Sequence, residues 1–451
     1  MERASIIDAS RRGPALALGE RLSAAAVARA AAVIALAAMA VAAVLICLEA
    51  GARATTVVPA SVRDYPDWLR GPLPELGDGL TEGRFAVLFL VMCGCYLALL
   101  AVHRHISARL AVGAIVLLHA LFMVSPPLLS TDVFGYIDWA RLGTVHDLDP
   151  YTHGFSDAPD DPALDYLRWD ADLPTPYGPV FTLATYLLGP LGLATSLWIL
   201  KAASALAALG CVALVWACAR RMGRDPLLPA VFVGLNPLWL VFEVGGAHND
   251  VFFMALALGG AYLLLAGRDA AGAGSVLTGA SLKASAGLLL PFALLGAADR
   301  RRALAGAALA AAGIAIVAVA GFGSNALGFL RTLESQQDQV ALWAVPNSLS
   351  RWLGLGGMTP GVRAVAIAAF LVVLLVMLVR TARGADWITA AGWTTFALLV
   401  TSAWLLPWYL VWLLPLAALG EDRRLRLATL TLCAFVIAVR VPVWLEQPLY
   451  P

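Results

Sequence analysis

Charge is what this chain of 451 residues has least of: 14% is Asp, Glu, Lys or Arg. Soluble domains carry about a quarter, so the bulk of the chain is not a water-exposed globule. The net charge of +1 gives no basic surplus of the kind that binds nucleic acid. Cysteine is scarce as well. Cys47, Cys93, Cys95, Cys211, Cys218 and Cys433 all fall inside apolar runs, whereas a disulfide framework would place them in extracytoplasmic loops; free, buried thiols are expected. Cys93-x-Cys95 has no histidine or carboxylate beside it, which disfavours a metal site. Internal repeats, long linkers and a soluble domain are also missing. The first apolar run, 24–50, exceeds a signal-peptide core of about 7–15 residues. Ala52-Arg53-Ala54 imitates a cleavage site only weakly, so this run reads as a retained helix after an N-terminal tail, 1–23.

What the chain has in abundance is apolar text, 61% of all residues. Runs of about 20 apolar residues cross a bilayer. Candidate spans are 24–50, 85–102, 110–124, 194–219, 227–244, 251–265, 303–322, 362–379, 387–403, 405–419 and 425–445. Two more stretches, 180–193 and 275–297, are short or interrupted, the second by Lys283 and Pro291. The expected fold is all-α and polytopic: about 11–13 transmembrane helices in one integral-membrane domain, 24–451, with long outer loops at 125–179 and 323–359.

Basic residues fix the orientation. Arg11, Arg12, Arg21 and Arg29 put the N-terminus inside. The loop after 124 is then outside, and it is acidic: ten aspartates from Asp132 to Asp172 stand against Arg141 and Arg168. The later basic clusters, Arg220–Arg224, Arg300–Arg302, Arg380–Arg383 and Arg423–Arg426, all fall inside on two conditions. The 180–193 stretch must be a half-helix or surface helix, and 275–297 must be a broken hairpin.

Within that frame a few polar fragments could carry chemistry. Ser130-Thr131-Asp132 follows a span at the outer surface. A carboxylate there can take a proton from an attacking hydroxyl; the bland alternative is a helix cap. Tyr136 and Arg141 follow it. Asp147-x-Asp149 has the spacing of a divalent-metal motif, but Asp149-Pro150-Tyr151 reads first as a turn, with the cation as the alternative. Pro176-Tyr177-Gly178-Pro179 is either helix entry or a rigid wall presenting Tyr177. His248-Asn249-Asp250 packs polar groups into a tight membrane turn, as caps or as a site. Lys283 is a charge isolated in apolar text; it either pairs with a carboxylate or meets an anion such as a lipid phosphate. Arg351, in the second outer loop, is another candidate for phosphate. Trp408 and Tyr409 belong to an interfacial aromatic belt or stack on a sugar.

Seven fragments in order carry a resemblance: Ser130–Phe134, Asp149–Gly154, Pro176–Pro179, Asn236–Leu238, Gly245–Asp250, Leu282–Ala284 with Pro291-Phe292, and Pro407–Leu410. Together they resemble the actinobacterial polyprenyl-phosphate-mannose-dependent α-1,6-mannosyltransferases, integral-membrane enzymes of the GT-C superfold. The resemblance implies an inverting hexosyl transfer at the extracytoplasmic face of the plasma membrane. The donor would be a polyprenyl-phosphate-mannose and the acceptor a glycan or glycolipid. It implies Asp132 as general base, with His248, Asn249 and Asp250 lining the site and Lys283 in the region that meets lipid phosphate. It calls for no cofactor. The rival class is a transporter or lipid-linked-sugar flippase with Lys283, His248 and Asp250 on its path. Transporters usually show paired broken helices, and only one clear broken segment is present here. A non-catalytic assembly subunit is a third class.

Overall fold

The computed structural model of the chain describes residues 6–59, 65–167 and 170–441, with side chains from residue 24 onward. Arg168, Trp444 and the side chains of Arg11, Arg12 and Arg21 lie outside the described residues. All regular structure among the described residues is helical. Helix α1 runs from Ile6 to Ala52, so the segment expected as a tail continues the first helix backwards. Polar residues start the next two: Thr81 accepts the Arg84 amide at the head of α2 (Glu82–Val102), and Ser107 accepts that of Leu110 at the head of α3 (Ala108–Val124). Each such cap satisfies a backbone donor that a helix start leaves open.

Five helices are long and apolar enough to cross a bilayer. A sixth span results if Leu227–Gly234 and Leu238–Gly245, bent by 55° at Asn236-Pro237, count as one. The expected number of 11–13 is not reached by length. Proline and glycine divide several of the apolar runs. The run 405–419, for example, splits at Pro407 and Pro415 into a 3₁₀ turn, Pro407–Trp412, and a helix of 6 residues, Leu414–Leu419. Six apolar helices are shorter than a full crossing, since about 20 residues are needed at 1.5 Å per residue.

The 125–179 segment is a packed cap rather than an open loop. Its first helix, α4 (Asp132–Val145), buries nine residues, among them Phe134, Tyr136, Ile137 and Trp139. These join Phe155, Tyr166, Tyr177 and Phe181 in a second hydrophobic core separate from the main bundle core. Arg141 pins this cap: its Nε lies 2.9 Å from Asp161 Oδ1 and Nη1 donates to Gly189 O, while His146 Nε2 sits 2.6 Å from Asp161 Oδ2. Burial alone would raise the Asp161 pKa, but hydrogen bonds from Arg141, His146 and the Ala163 amide carry it below the ordinary carboxylate range. A depressed carboxyl stabilises the fold above its unfolded pKa and loses that contribution as pH falls through the lower folded value. Asp161→Asn is therefore expected to destabilise the cap by about 3 kcal/mol at neutral pH, with the difference from wild type shrinking in acid. Thermal melting across pH measures this, and a constant difference would refute it.

After the cap comes α5 (Pro179–Tyr186), whose 8 residues cannot cross a bilayer, then α6 (Leu193–Arg221). Helix α7 (Leu227–Gly234) and a π-helix (Leu238–Gly245) lead to the turn 246–249 and α8 (Asp250–Leu265). Helix α9 (Asp269–Ala280) rises to an extended Lys283 (φ −145, ψ 122), and a 3₁₀ turn, Ala284–Leu289, continues into α10 (Leu290–Gly296). The 275–297 stretch is thus a broken hairpin whose break lies at Lys283. Helix α11 (Arg300–Phe322) packs on α9 at glycine distance: a Cβ on Gly306 would stand 2.0 Å from Ala270 O. Small residues allow such backbone approach in membranes.

The 323–359 segment holds α12 (Gly328–Ser335) and α13 (Val345–Trp352). Helix α13 is inside out. Asn347, Ser348 and Ser350 are buried, whereas Leu349, Trp352, Leu353 and Leu355 are exposed. Helices α14 (Pro360–Ala382) and α15 (Trp387–Thr401), the 3₁₀ turn Pro407–Trp412, α16 (Leu414–Leu419) and α17 (Arg423–Ala438) complete the bundle.

The basic turns converge on one end. Arg221 reaches Leu265 O, Arg224 reaches Leu419 O and Glu421, and Asp269 accepts the amides of Ala298 and Asp299. The six cysteines are free thiols, four of them buried.

Candidate functional site

Away from the basic turns, a cavity of about 540 Å³ opens between the cap, the Lys283 break, α12 and the Pro407–Trp412 turn. Asp132, Tyr177, Lys283, Trp404, Trp408, Tyr409 and Trp412 line it, and Asp170, Gln336 and Gln339 stand in its wall.

Asp132 is the first residue of α4. Thr131 is the N-cap and no side chain caps the helix, so the Asp132 carboxylate is not spent as a cap. Ser130 Oγ donates to Asp132 Oδ1 at 2.8 Å and accepts the Asp132 amide. Burial pushes the Asp132 carboxyl above its usual range, against the Ser130 hydroxyl and the Lys283 ammonium, which pull it down. Its side chain keeps 24% exposure, toward the cavity.

The turn 246–249 stands directly behind. His248 is fully buried, its ring stacked on Trp408 with centroids 3.9 Å apart. Its Nδ1 lies 2.7 Å from Phe242 O and its Nε2 lies 3.6 Å from Asp132 Oδ2. Burial holds its pKa down at about 4, so the ring is neutral at physiological pH. The turn is held from below: Lys201 Nζ, wholly buried on α6, donates to Gly245 O at 2.8 Å, and Ser204 Oγ donates to His248 O. The Lys201 amine thereby satisfies a carbonyl at the end of the π-helix. Ala247 adopts φ +55, a conformation that costs an L-residue energy and that these bonds enforce. Tyr136 OH accepts the Asn249 amide.

Asp250 is buried and accepts from Lys283 Nζ at 2.7 Å and from Trp412 Nε1. The ammonium also stands 4.9 Å from the Tyr409 ring centroid and 5.4 Å from that of Trp412. Glu243 Oε1 accepts the Val251 amide, and the other oxygens of Glu243 and Asp250 have no hydrogen-bond partner.

The cavity thus brings together Asp132, Tyr177, Lys283, Trp408 and Tyr409, backed by His248, Asn249 and Asp250. The other sequence candidates lie elsewhere. Tyr151 is buried, donating to Tyr177 O; Arg141 clamps the cap; Tyr136 is a core residue under the site; Arg351, on α13, does not line the cavity. Asp149 works as a turn residue, accepting the Tyr151 amide on one oxygen and Asn325 Nδ2 on the other. Among the described residues no group of three or more His, Cys, Asp or Glu is arranged to hold a metal ion.

Reading the sequence missed Trp139, Gln336, Gln339 and Lys201. Trp139 stands seven residues after Asp132, two helical turns along the same face, a spacing that points to the cavity only once Asp132 is seen to line it. Lys201 is one of only two lysines in the chain.

Comparison with known proteins follows the same outline. Residues 77–299 match the family described as "Alpha-(1->6)-mannopyranosyltransferase, N-terminal domain", and residues 343–444 match "MptB C-terminal domain". A curated relative from Mycobacterium tuberculosis, alpha-(1->6)-mannopyranosyltransferase A, is 28% identical over 72% of this chain and 68% of its own length. The Corynebacterium glutamicum protein of that name is 29% identical over 37% of this chain and 34% of its own length. A probable alpha-(1->6)-mannopyranosyltransferase from Mycolicibacterium smegmatis is 27% identical over 70% of this chain and 66% of its own length. No solved structure matches.

Proposed function

From the premise that the chain belongs to the alpha-(1→6)-mannopyranosyltransferase family of multi-pass membrane proteins, we propose that it moves mannose from a polyprenyl-phosphate-mannose to a hydroxyl of a glycan or glycolipid. The new linkage is alpha-1,6 and the transfer inverts the anomeric centre in a single displacement. The observation that carries this reading is the cavity itself. A carboxylate of raised pKa, Asp132, and an ammonium, Lys283, share one aromatic-walled chamber. Asp132 takes the proton of the attacking hydroxyl as that oxygen bonds to the anomeric carbon. Lys283 offers positive charge to the departing lipid phosphate. Trp408, Tyr409 and Tyr177 give flat faces to the sugars.

Single displacement fits the carboxylate inventory. Asp250 is occupied by Lys283 and Trp412 and does not line the cavity, and Asp170, which does, is exposed. Among the described residues that line the cavity, Asp132 is the carboxylate whose pKa burial raises. The positive-inside rule favours a cytoplasmic side for the converging basic turns, which supports an extracytoplasmic cavity and suits a donor that needs no nucleotide.

The deciding experiment uses the full-length protein in nanodiscs with synthetic polyprenyl phosphomannose and a panel of mannose-terminated acceptors. Mass spectrometry is expected to show acceptors lengthened by one hexose, with alpha-1,6 linkage by product digestion. Donor translocation without any lengthened acceptor would overturn the reading in favour of transport.

A further inference from the structure

The His248 ring is oriented with an open lone pair toward the proposed base. Phe242 O can only accept, so the nitrogen facing it, Nδ1 at 2.7 Å, carries the hydrogen. In a neutral imidazole the other nitrogen is then a bare acceptor. That nitrogen, Nε2, is buried, has no hydrogen-bond partner, and lies 3.6 Å from Asp132 Oδ2. The Trp408 indole covers one face of the ring, and a Cβ on Gly246 would stand 2.7 Å from the ring, so the imidazole is held in this orientation.

A lone pair facing a carboxylate is repulsive. The same lone pair facing a carboxylic acid is a hydrogen-bond acceptor. The pocket therefore fits the protonated form of Asp132, the form it reaches once it has taken a proton. We propose that His248 Nε2 is the proton-accepting partner of Asp132, and that it sets the base strength of that carboxylate during glycosyl transfer. This rests on the base role given to Asp132 above. In the transfer the acceptor O–H bond breaks, and its oxygen forms the new bond to the anomeric carbon. The bond from that carbon to the phosphate oxygen breaks, and its electron pair leaves with the phosphate. The proton passes to Asp132 Oδ2, held by His248 Nε2, and returns to solvent through the cavity. Pairs like this rest long and tighten in the reactive complex. His248 acts through Asp132, so it is a positioning residue.

Other titratable groups face the pair from each neighbouring element: Lys201 on α6, Glu243 on the π-helix, Asp250 on α8 and Lys283 at the break. Tyr136, Tyr177 and Tyr409 stand near Asp132 as well. Substituting His248 alone leaves all of these in place, so a changed titration reports the loss of Nε2.

The test compares wild type, His248→Phe and His248→Gln in nanodiscs with polyprenyl phosphomannose and an acceptor, recording kcat and KM against pH. Phenylalanine keeps the stack on Trp408 without nitrogen; glutamine offers an oxygen that accepts a hydrogen bond but not a proton. Both variants are expected to lose about 10–100-fold in kcat with donor KM within about threefold of wild type. In His248→Phe the acid limb of kcat is expected to move down by about one pH unit, because the protonated carboxyl has lost its acceptor; in His248→Gln, which keeps an acceptor oxygen, the limb is expected to stay nearer the wild-type position. A folded His248→Phe whose acid limb stays at the wild-type position would overturn the proposal, since a purely structural loss lowers kcat without moving the limb. Should neither variant fold, ¹⁵N-histidine NMR of the wild type decides: a bare Nε2 at neutral pH supports it and a protonated one sinks it. Asp132→Asn in parallel separates the two ideas. An inactive Asp132→Asn with an unmoved His248 limb removes only the partner role; an active Asp132→Asn removes both.

Discussion

Asp132→Asn is expected to give a folded protein whose turnover falls by about 10³-fold, the usual scale for deleting a positioned general base. The substitution nearly preserves volume and shape. It removes no helix cap, because Thr131 occupies that position and the carboxylate caps nothing. An amide oxygen can still accept from Ser130 Oγ, so melting temperature should stay near wild type. What the amide cannot do is take a proton. The pH dependence gives a second check. Burial raises the Asp132 pKa above its ordinary value of 3.8, with Ser130 and Lys283 pulling the other way. The base works ionised, so activity is full above its pKa and falls as pH drops through it. The acid limb of the wild-type rate is therefore expected above the ordinary carboxylate range. A limb near pH 4, or wild-type turnover in a folded Asp132→Asn, would dismiss Asp132 as the base.

Much of this site was legible in the chain because its residues are out of place in their surroundings. Lysine at 283, amid Ser281, Leu282 and Ala284, has no reason to be there unless something answers its charge; the structure answers it with Asp250. The broken hairpin was legible for the same reason. What sequence could not give was which face of a short helix looks into the cavity. Tyr136 and Trp139 belong to one aromatic helix, yet Tyr136 turns into the core beneath the turn and Trp139 lines the cavity. Tyr151 and Arg141 carry the same polar-aromatic signature as site residues but hold the cap together. The cap's own core was hidden because a period of aromatic residues inside an acidic stretch looks like a loop when only charge is counted. The second outer segment misled in the opposite direction. Gln336, Gln337, Asp338, Asn347 and Arg351 look water-facing, but Asn347 is buried against Leu342 O while Leu349 and Trp352 of α13 are exposed. Next to a bilayer the usual polarity of an amphipathic helix no longer says which side is inside. Gln336 and Gln339 reach the cavity through tertiary packing alone, for which no local signal exists.

Lys283→Met is expected to have the second-largest effect, and on two quantities at once. The ammonium is shared between a buried carboxylate and the cavity: it binds Asp250 Oδ1 and still lines the chamber where the phosphate would depart. On the proposed reading, removing it takes away the cavity's lysine from the departing phosphate, and losing one such preorganised donor costs about 10²–10³ in kcat. It also leaves Asp250 buried beside Glu243 with only Trp412 to answer it. Breaking one side of a buried pair costs about 3–5 kcal/mol, so a clear drop in melting temperature should accompany the rate loss. A second substitution separates the two contributions. In Lys283→Met with Asp250→Asn the stranded charge is gone, so stability should recover in large part while kcat stays low. If kcat returns together with stability, Lys283 serves the fold alone and the phosphate must find its cation elsewhere. If kcat stays low in a protein that melts like wild type, the lysine's second role belongs to the leaving group. Donor analogues with a neutral leaving group would then be expected to lose their dependence on residue 283.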